Sequence, residues 1–145
     1  MSLSKINAES LSPLTRIPEG TNISTSAIGG NVNIDVSNST VYFFNANTTA
    51  NLTFNVRGTA QETFDSVTAV GETTSLAIAV KYGTFRHQAN LSIDGAVQTL
   101  YYSGNTKPTG VSIVSAEINL FSYSIFKTAA NAYTVITTST PFGLG

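Results

Sequence analysis

The chain has no cysteine among its 145 residues. Disulfide frameworks, thiolate zinc sites and thiol nucleophiles are excluded together, and the redox compartment is left open. Charge is scarce as well. Asp, Glu, Lys and Arg make up 10% of the residues, against about 25% in an average globular protein. The formal net charge is −1 and the seven Lys and Arg residues are scattered singly, which leaves no basic footprint for nucleic acid. No apolar run is long enough for a signal peptide or a membrane span. The expectation is therefore a chain made and kept in a cytoplasm, with no membrane partner.

Signatures of catalysis are equally thin. The single histidine, His87, falls on the apolar face of an expected strand beside Arg86 and Gln88. No G-x-S-x-G elbow exists to partner it, so it reads as a structural or surface residue rather than a general base. A glycosidase needs two carboxyls facing each other across a sugar, and the eight acids show no such spacing. Glu62 and Asp65 read as the solvated side of a short helix, while Asp35, Glu72, Asp94 and Glu117 fall at strand ends or turns. Asp94-Gly95 is a turn before it is a calcium ligand, because no acidic loop surrounds it. Ala27-Ile28-Gly29-Gly30 precedes a strand, whereas a dinucleotide fingerprint follows one. No catalytic residue, metal or cofactor is expected. The N-x-S/T triplets at Asn22, Asn38, Asn47, Asn51 and Asn90 follow from an Asn/Thr-rich composition rather than marking glycosylation.

What the chain does have is Thr, Ser and Asn for its polar surface, and Thr, Val, Tyr and Phe that suit pleated, half-buried strands. At this length it reads as one domain, able to bury roughly 68–70% of its unfolded surface. The organising stretch is 40–58, TVYFFNANTTANLTFNVRG. Leu52, Phe54 and Val56 alternate with Asn51, Thr53 and Asn55, the period of a strand with one apolar face. Val41, Tyr42, Phe43 and Phe44 are apolar on both sides, as in a strand buried between layers. The two runs are expected to form a hairpin. Val32, Ile34 and Val36 alternate upstream, and residues 75–82, 85–93, 96–102 and 117–127 read as further strands, with 132–138 as the hairpin partner of 117–127. Asp94-Gly95 signals a two-residue type I′ turn, and Pro141 is expected to end the order. Phe64, Val67 and Val70 at helical spacing, closed by Gly71, predict one short helix near 60–70. The fold expected is mainly β: an antiparallel, jelly-roll-like sandwich of about eight strands, with an open barrel as the runner-up.

Residues 1–30 are polar and broken by Pro13, Pro18, Gly20, Gly29 and Gly30. They are expected to form an extended arm ahead of a sandwich domain at 31–145, with Leu3, Ile6, Leu11, Leu14 and Ile17 as anchoring residues on a neighbouring subunit. Low charge admits two readings: a protein whose edges are covered in an assembly, or a Thr/Asn-coated sandwich kept soluble by hydroxyls and amides. Tyr101, Tyr102 and Tyr123 are either ordinary strand aromatics or a sugar-stacking platform.

The segment 44–57, FNANTTANLTFNVR, resembles a module of virion structural proteins from tailed bacteriophages, chiefly those infecting marine cyanobacteria and related hosts. In that family a Thr/Ser-rich helical segment follows, then a strand like 75–83 (SLAIAVKYG), a strand ending like Ile93-Asp94-Gly95, and a hairpin like 123–135 (YSIFKTAANAYTV). The resemblance covers roughly 41–142 in the same order. This chain departs from the family at Tyr101-Tyr102-Ser103-Gly104, where Trp-Gln-Gly is common. The module fills nearly the whole chain, which sets the expectation away from a long fibre. The motifs are structural, so the resemblance transfers no functional residue. It implies a non-enzymatic virion protein: a capsid decoration or cement protein, or a small tail or fibre appendage. Its implied partners are the major capsid protein or tail proteins, and its implied form is a homo-oligomer, with a trimer expected. The competing expectation is a carbohydrate-binding module that holds a host glycan through Tyr101 and Tyr102.

Overall fold

Inward and outward residues alternate along the long strands, and this parity alone builds two apolar faces that must meet. The computed structural model describes residues 20–144, so the candidate arm anchors Leu3, Ile6, Leu11, Leu14 and Ile17 lie outside the described residues. In chain order the first strands are β1 (Thr21–Ser24), β2 (Gly30–Asp35), β3 (Val41–Phe44) and β4 (Leu52–Arg57). Helix α1 (Phe64–Val67) precedes β5 (Thr73–Tyr82), β6 (Phe85–Arg86), β7 (Ala89–Ile93), β8 (Ala96–Val97) and β9 (Leu100–Tyr102). The chain closes with β10 (Val111–Ser112), β11 (Glu117–Ala129) and β12 (Ala132–Gly143). One sheet has the order β1-β3-β5-β11-β12-β9, the other β2-β4-β7-β8, and β6 pairs with β10.

The mainly β, sandwich-like architecture is present, and β5, β11 and β12 pair antiparallel as expected, but the polarity of the whole is mixed rather than antiparallel throughout. β1, β3 and β5 run parallel to one another in the first sheet. β2, β4 and β7 do so in the second. The expected hairpin of 41–45 and 51–56 does not exist, because β3 and β4 belong to different sheets. The chain winds from sheet to sheet, so that each crossing stacks on the next. Thr49 N–H donates to Ile28 O at 2.9 Å, and Val36 N–H to Arg57 O at 3.0 Å. These bonds hold each connection against its neighbour and carry the chain across instead of folding it back. A strand that lands in the opposite sheet pairs with the strand laid there before it, as β3 with β1, β4 with β2, β5 with β3 and β7 with β4, and each of these pairings is parallel.

Other boundaries move for identifiable reasons. Residues 21–24, placed in the arm by their polarity, form β1 because β3 offers its free edge. The run 85–93 breaks at His87-Gln88, where the chain passes from β6 to β7 in another sheet, and 96–102 breaks likewise between β8 and β9. β12 runs past Pro141. β9 pairs only with Val135, Ile136 and Thr137, so the prolyl nitrogen sits on a free edge where no donor is needed. The helix is one turn, with Phe64 buried but Val67 and Val70 exposed. The Asp94-Gly95 turn forms as expected, both residues at positive φ (49° and 83°) between β7 and β8.

The sheets meet in one core centred on Phe54, which is fully buried. Its ring lies 6.4 Å from Phe44, 5.8 Å from Phe121 and 6.4 Å from Tyr123, so β4 is keyed into β3 and β11 of the facing sheet. Phe54→Ala is expected to cost about 3–5 kcal/mol in equilibrium denaturation. Val97→Ala, on the exposed edge strand β8, is expected to change stability by no more than about 0.5 kcal/mol.

Candidate functional site

On β11 the inward positions are Asn119, Phe121, Tyr123, Ile125 and Lys127. A lysine on that parity is buried and has to be paired. Lys127 Nζ donates to the carbonyls of Asp65 (2.6 Å) and Thr68 (2.7 Å) and lies 2.8 Å from Asp65 Oδ1. The same carboxylate accepts from Asn131 N–H (2.7 Å) and from the Tyr133 hydroxyl (2.9 Å). The Lys127 ammonium, then the Asn131 amide and the Tyr133 hydroxyl, hold the Asp65 carboxyl down to about 2. Burial first, and then Asp65, push the Tyr133 hydroxyl above its ordinary value. Asp65 is thus a clamp between α1 and the β11–β12 turn, not the solvated residue its helical spacing implied. Asp94 has a similar second role, since its carboxylate accepts from Phe64 N–H (2.7 Å) and Asp65 N–H (3.0 Å).

A second group lies where β6 meets the end of β11. Arg86 and Glu117 form a two-pronged ion pair, with Tyr82 donating to His87 O at 2.9 Å. The His87 ring packs 4.9 Å from Phe85 and 6.3 Å from Tyr82, a structural environment. Between these residues and Asn119, Tyr102, Tyr123 and Thr137 is a cavity of about 10 Å³, about the volume of one water molecule. Asn119 is fully buried; its Nδ2 donates to Ser139 Oγ at 2.9 Å, while its Oδ1 has no partner among the described residues. The space is too small for a substrate. No group of three or more His, Cys, Asp or Glu that could hold a metal occurs among the described residues, and no helix among them is long and apolar enough to cross a membrane.

The tyrosines do not form one platform. Tyr101 pairs with Ile136 and Tyr102 with Thr137, so successive side chains point to opposite faces. Tyr101 is 65% exposed, Tyr102 is half-buried toward the cavity, and Tyr123 is in the core. Of these three tyrosines, Tyr101 is the one whose ring is open to stacking.

The two outer faces differ in kind. On the four-stranded sheet, Asn33, Asn55 and Ser92 form a hydrogen-bonded row, with Asn55 Nδ2 donating to Asn33 Oδ1 (3.0 Å) and Ser92 Oγ to Asn55 Oδ1 (3.0 Å). Beside it, Arg57 Nε lies 2.6 Å from Asp35 Oδ1. On the six-stranded sheet, register places Ile23, Phe43, Ala79, Leu120 and Thr140 in one row across five strands. The next row along β5, β11 and β12 is Lys81, Ile118 and Phe142. Lys81 is the single charged side chain on that face among the described residues. The amphipathic alternation was legible in the sequence. Which strands would pool their outward residues was not.

Taken together, the fold and its polar groups define a two-sheet β domain whose described ion pairs brace the fold and whose six-stranded sheet presents an outer face with Lys81 as its single charge among the described residues. Comparison with protein-family models, characterised proteins and solved structures returns no match.

Two outcomes test the clamp. Lys127→Met removes two charge-assisted bonds to buried carbonyls and is expected to destabilise by roughly 2–4 kcal/mol in denaturant titration. The lowered Asp65 carboxyl contributes stability that is complete above its unfolded value near pH 4 and is lost as pH falls through about 2. Melts recorded from pH 5 to pH 2 are expected to fall across that window, and Asp65→Asn is expected to flatten that part of the profile. An unchanged profile in the variant would sink the assignment.

Proposed function

We propose that this chain is a non-enzymatic structural protein of a tailed-phage particle, a decoration or cement subunit or a small tail appendage. It works by contact with neighbouring subunits. The observation that carries the reading is the open face of the six-stranded sheet, several strands wide and bearing one charge. A face of that kind offers area for association and no chemistry. The residues that carry the phage-module resemblance play building roles. Phe44, Leu52, Phe54 and Val56 fill the core, Asn55 belongs to the outer row, and Arg57 pairs with Asp35. Many weak contacts repeated over a particle gain strength through multivalency, which suits a small subunit with little charge.

Residues 1–19 serve in this reading as the anchoring arm. Particles assembled without the protein and then incubated with the full chain are expected to take it up. A variant lacking residues 1–19 is expected to show at least tenfold lower uptake with an unchanged melting temperature. Normal incorporation of the truncated chain would remove the arm from the account, and failure of the full chain to bind particles would remove the virion role. A glycan-binding role would rest on the exposed ring of Tyr101. Retention on immobilised host glycan that Tyr101→Ala abolishes, without affecting particle binding, is the result that would establish it.

A further inference from the structure

We propose that the outer face of the six-stranded sheet is the docking surface for the same face of a second copy of this chain. The inference draws on the same face that supports the virion reading and gives that face a partner, a second copy, whose binding is tested on the isolated protein. Its first support is the contrast between the two outer faces. One sheet meets water through an amide row and an ion pair. The other carries Ile23 at 61%, Phe142 at 55% and Ile136 at 47% exposure. Between them stand Thr21, Ser75, Ser122, Ser124, Thr138 and Thr140, so the face mixes hydroxyls with exposed apolar side chains, and Lys81 is its one charge among the described residues. Large exposed apolar side chains gathered on one sheet face mark an association surface.

The size of the face fits one partner of its own kind. Six strands spaced about 4.8 Å apart span about 24 Å, and the ten paired positions of β5 and β11 extend for roughly 34 Å. The product, roughly 800 Å², is the area each partner contributes to an interface of standard size. Charge narrows the choice further. A charged partner would find only Lys81 to pair with, whereas a second copy presents a surface equally poor in charge. Bulk and smallness are also distributed to suit two-fold packing. Ala77, Ala79 and Ser122 lie toward the middle, with Ile118 and Phe142 at one end and Phe126 and Ile136 at the other. Packing with the ends exchanged lets the small residues bring the sheets together at about 10 Å. It also places the two Lys81 ammonium groups at opposite ends of the joint. An interface of this type is isologous and closes at two copies.

Sedimentation equilibrium of the full chain at micromolar concentration is expected to give twice the 15.3 kDa chain mass. Ser122→Glu, at an exposed position on this face, sets two like charges within the joint and is expected to weaken dimerisation at least a hundredfold. Asn33→Glu on the opposite sheet is expected to leave dimerisation unchanged. Circular dichroism confirms that each variant is folded, and Thr138→Glu, from the same row as Ser122, replaces Ser122→Glu if that variant fails to fold. A monomer throughout the concentration range overturns the proposal, as does a trimer, or a dimer indifferent to both face variants. A dimer that forms only after residues 1–19 are deleted also overturns it, because the chain's own segment would then be the occupant. Particle uptake is read in a separate experiment that turns on residues 1–19, so failure of the face proposal and failure of the virion reading are distinguishable although both draw on this face.

Discussion

Everything in this fold depends on the aromatic ring of Phe54 reaching across from β4 to the facing sheet. It is the only ring from the four-stranded sheet in a belt that includes Tyr42, Phe44, Phe121 and Tyr123. Parallel strands that alternate between two sheets have no tight turns to hold them together, so the sheets are joined chiefly by what interdigitates between them. The stacked and edge-on geometry around Phe54 sets how far apart the sheets lie and which strands face each other. The crossings at 25–29, 36–40 and 45–51 can then be short, because each bridges a gap of fixed width.

Scarce charge is used for bracing. Arg57 with Asp35 ties β4 to β2, Arg86 with Glu117 ties β6 to β11, and Lys127 with Asp65 ties β11 to α1. Each pair joins segments far apart in the chain, and each is partly or largely withdrawn from water. Such pairs fix geometry more than they add net stability, because desolvation offsets much of their attraction. With these charges paired among themselves, the six-stranded sheet turns outward a face on which Lys81 is the single charge among the described residues. The outer faces differ accordingly: amides and one ion pair dress the small sheet, while Ser, Thr and apolar side chains share the large one.

The sequence by itself determined the parity of the strands, the Asp94-Gly95 turn, the β11–β12 pairing and the place of Phe64 in α1. These features are set by residues within a few positions of one another, where side-chain alternation and backbone preference act directly. It also carried one unread signal: Lys127 continues the inward parity of Phe121, Tyr123 and Ile125, which marks a buried cation in need of a partner. Tertiary structure alone decided strand polarity and sheet membership. Leu52-Phe54-Val56 and Leu76-Ile78-Val80 show the same alternation, yet they lie in different sheets, because alternation states which side of a strand is apolar and not which strand lies beside it. The partner of Lys127, the inward turn of Tyr102 and the pooling of outward residues into one face with a single charge were decided at the same level. Each requires segments distant in sequence to be brought together, and the packing of the two sheets around Phe54 is what brings them.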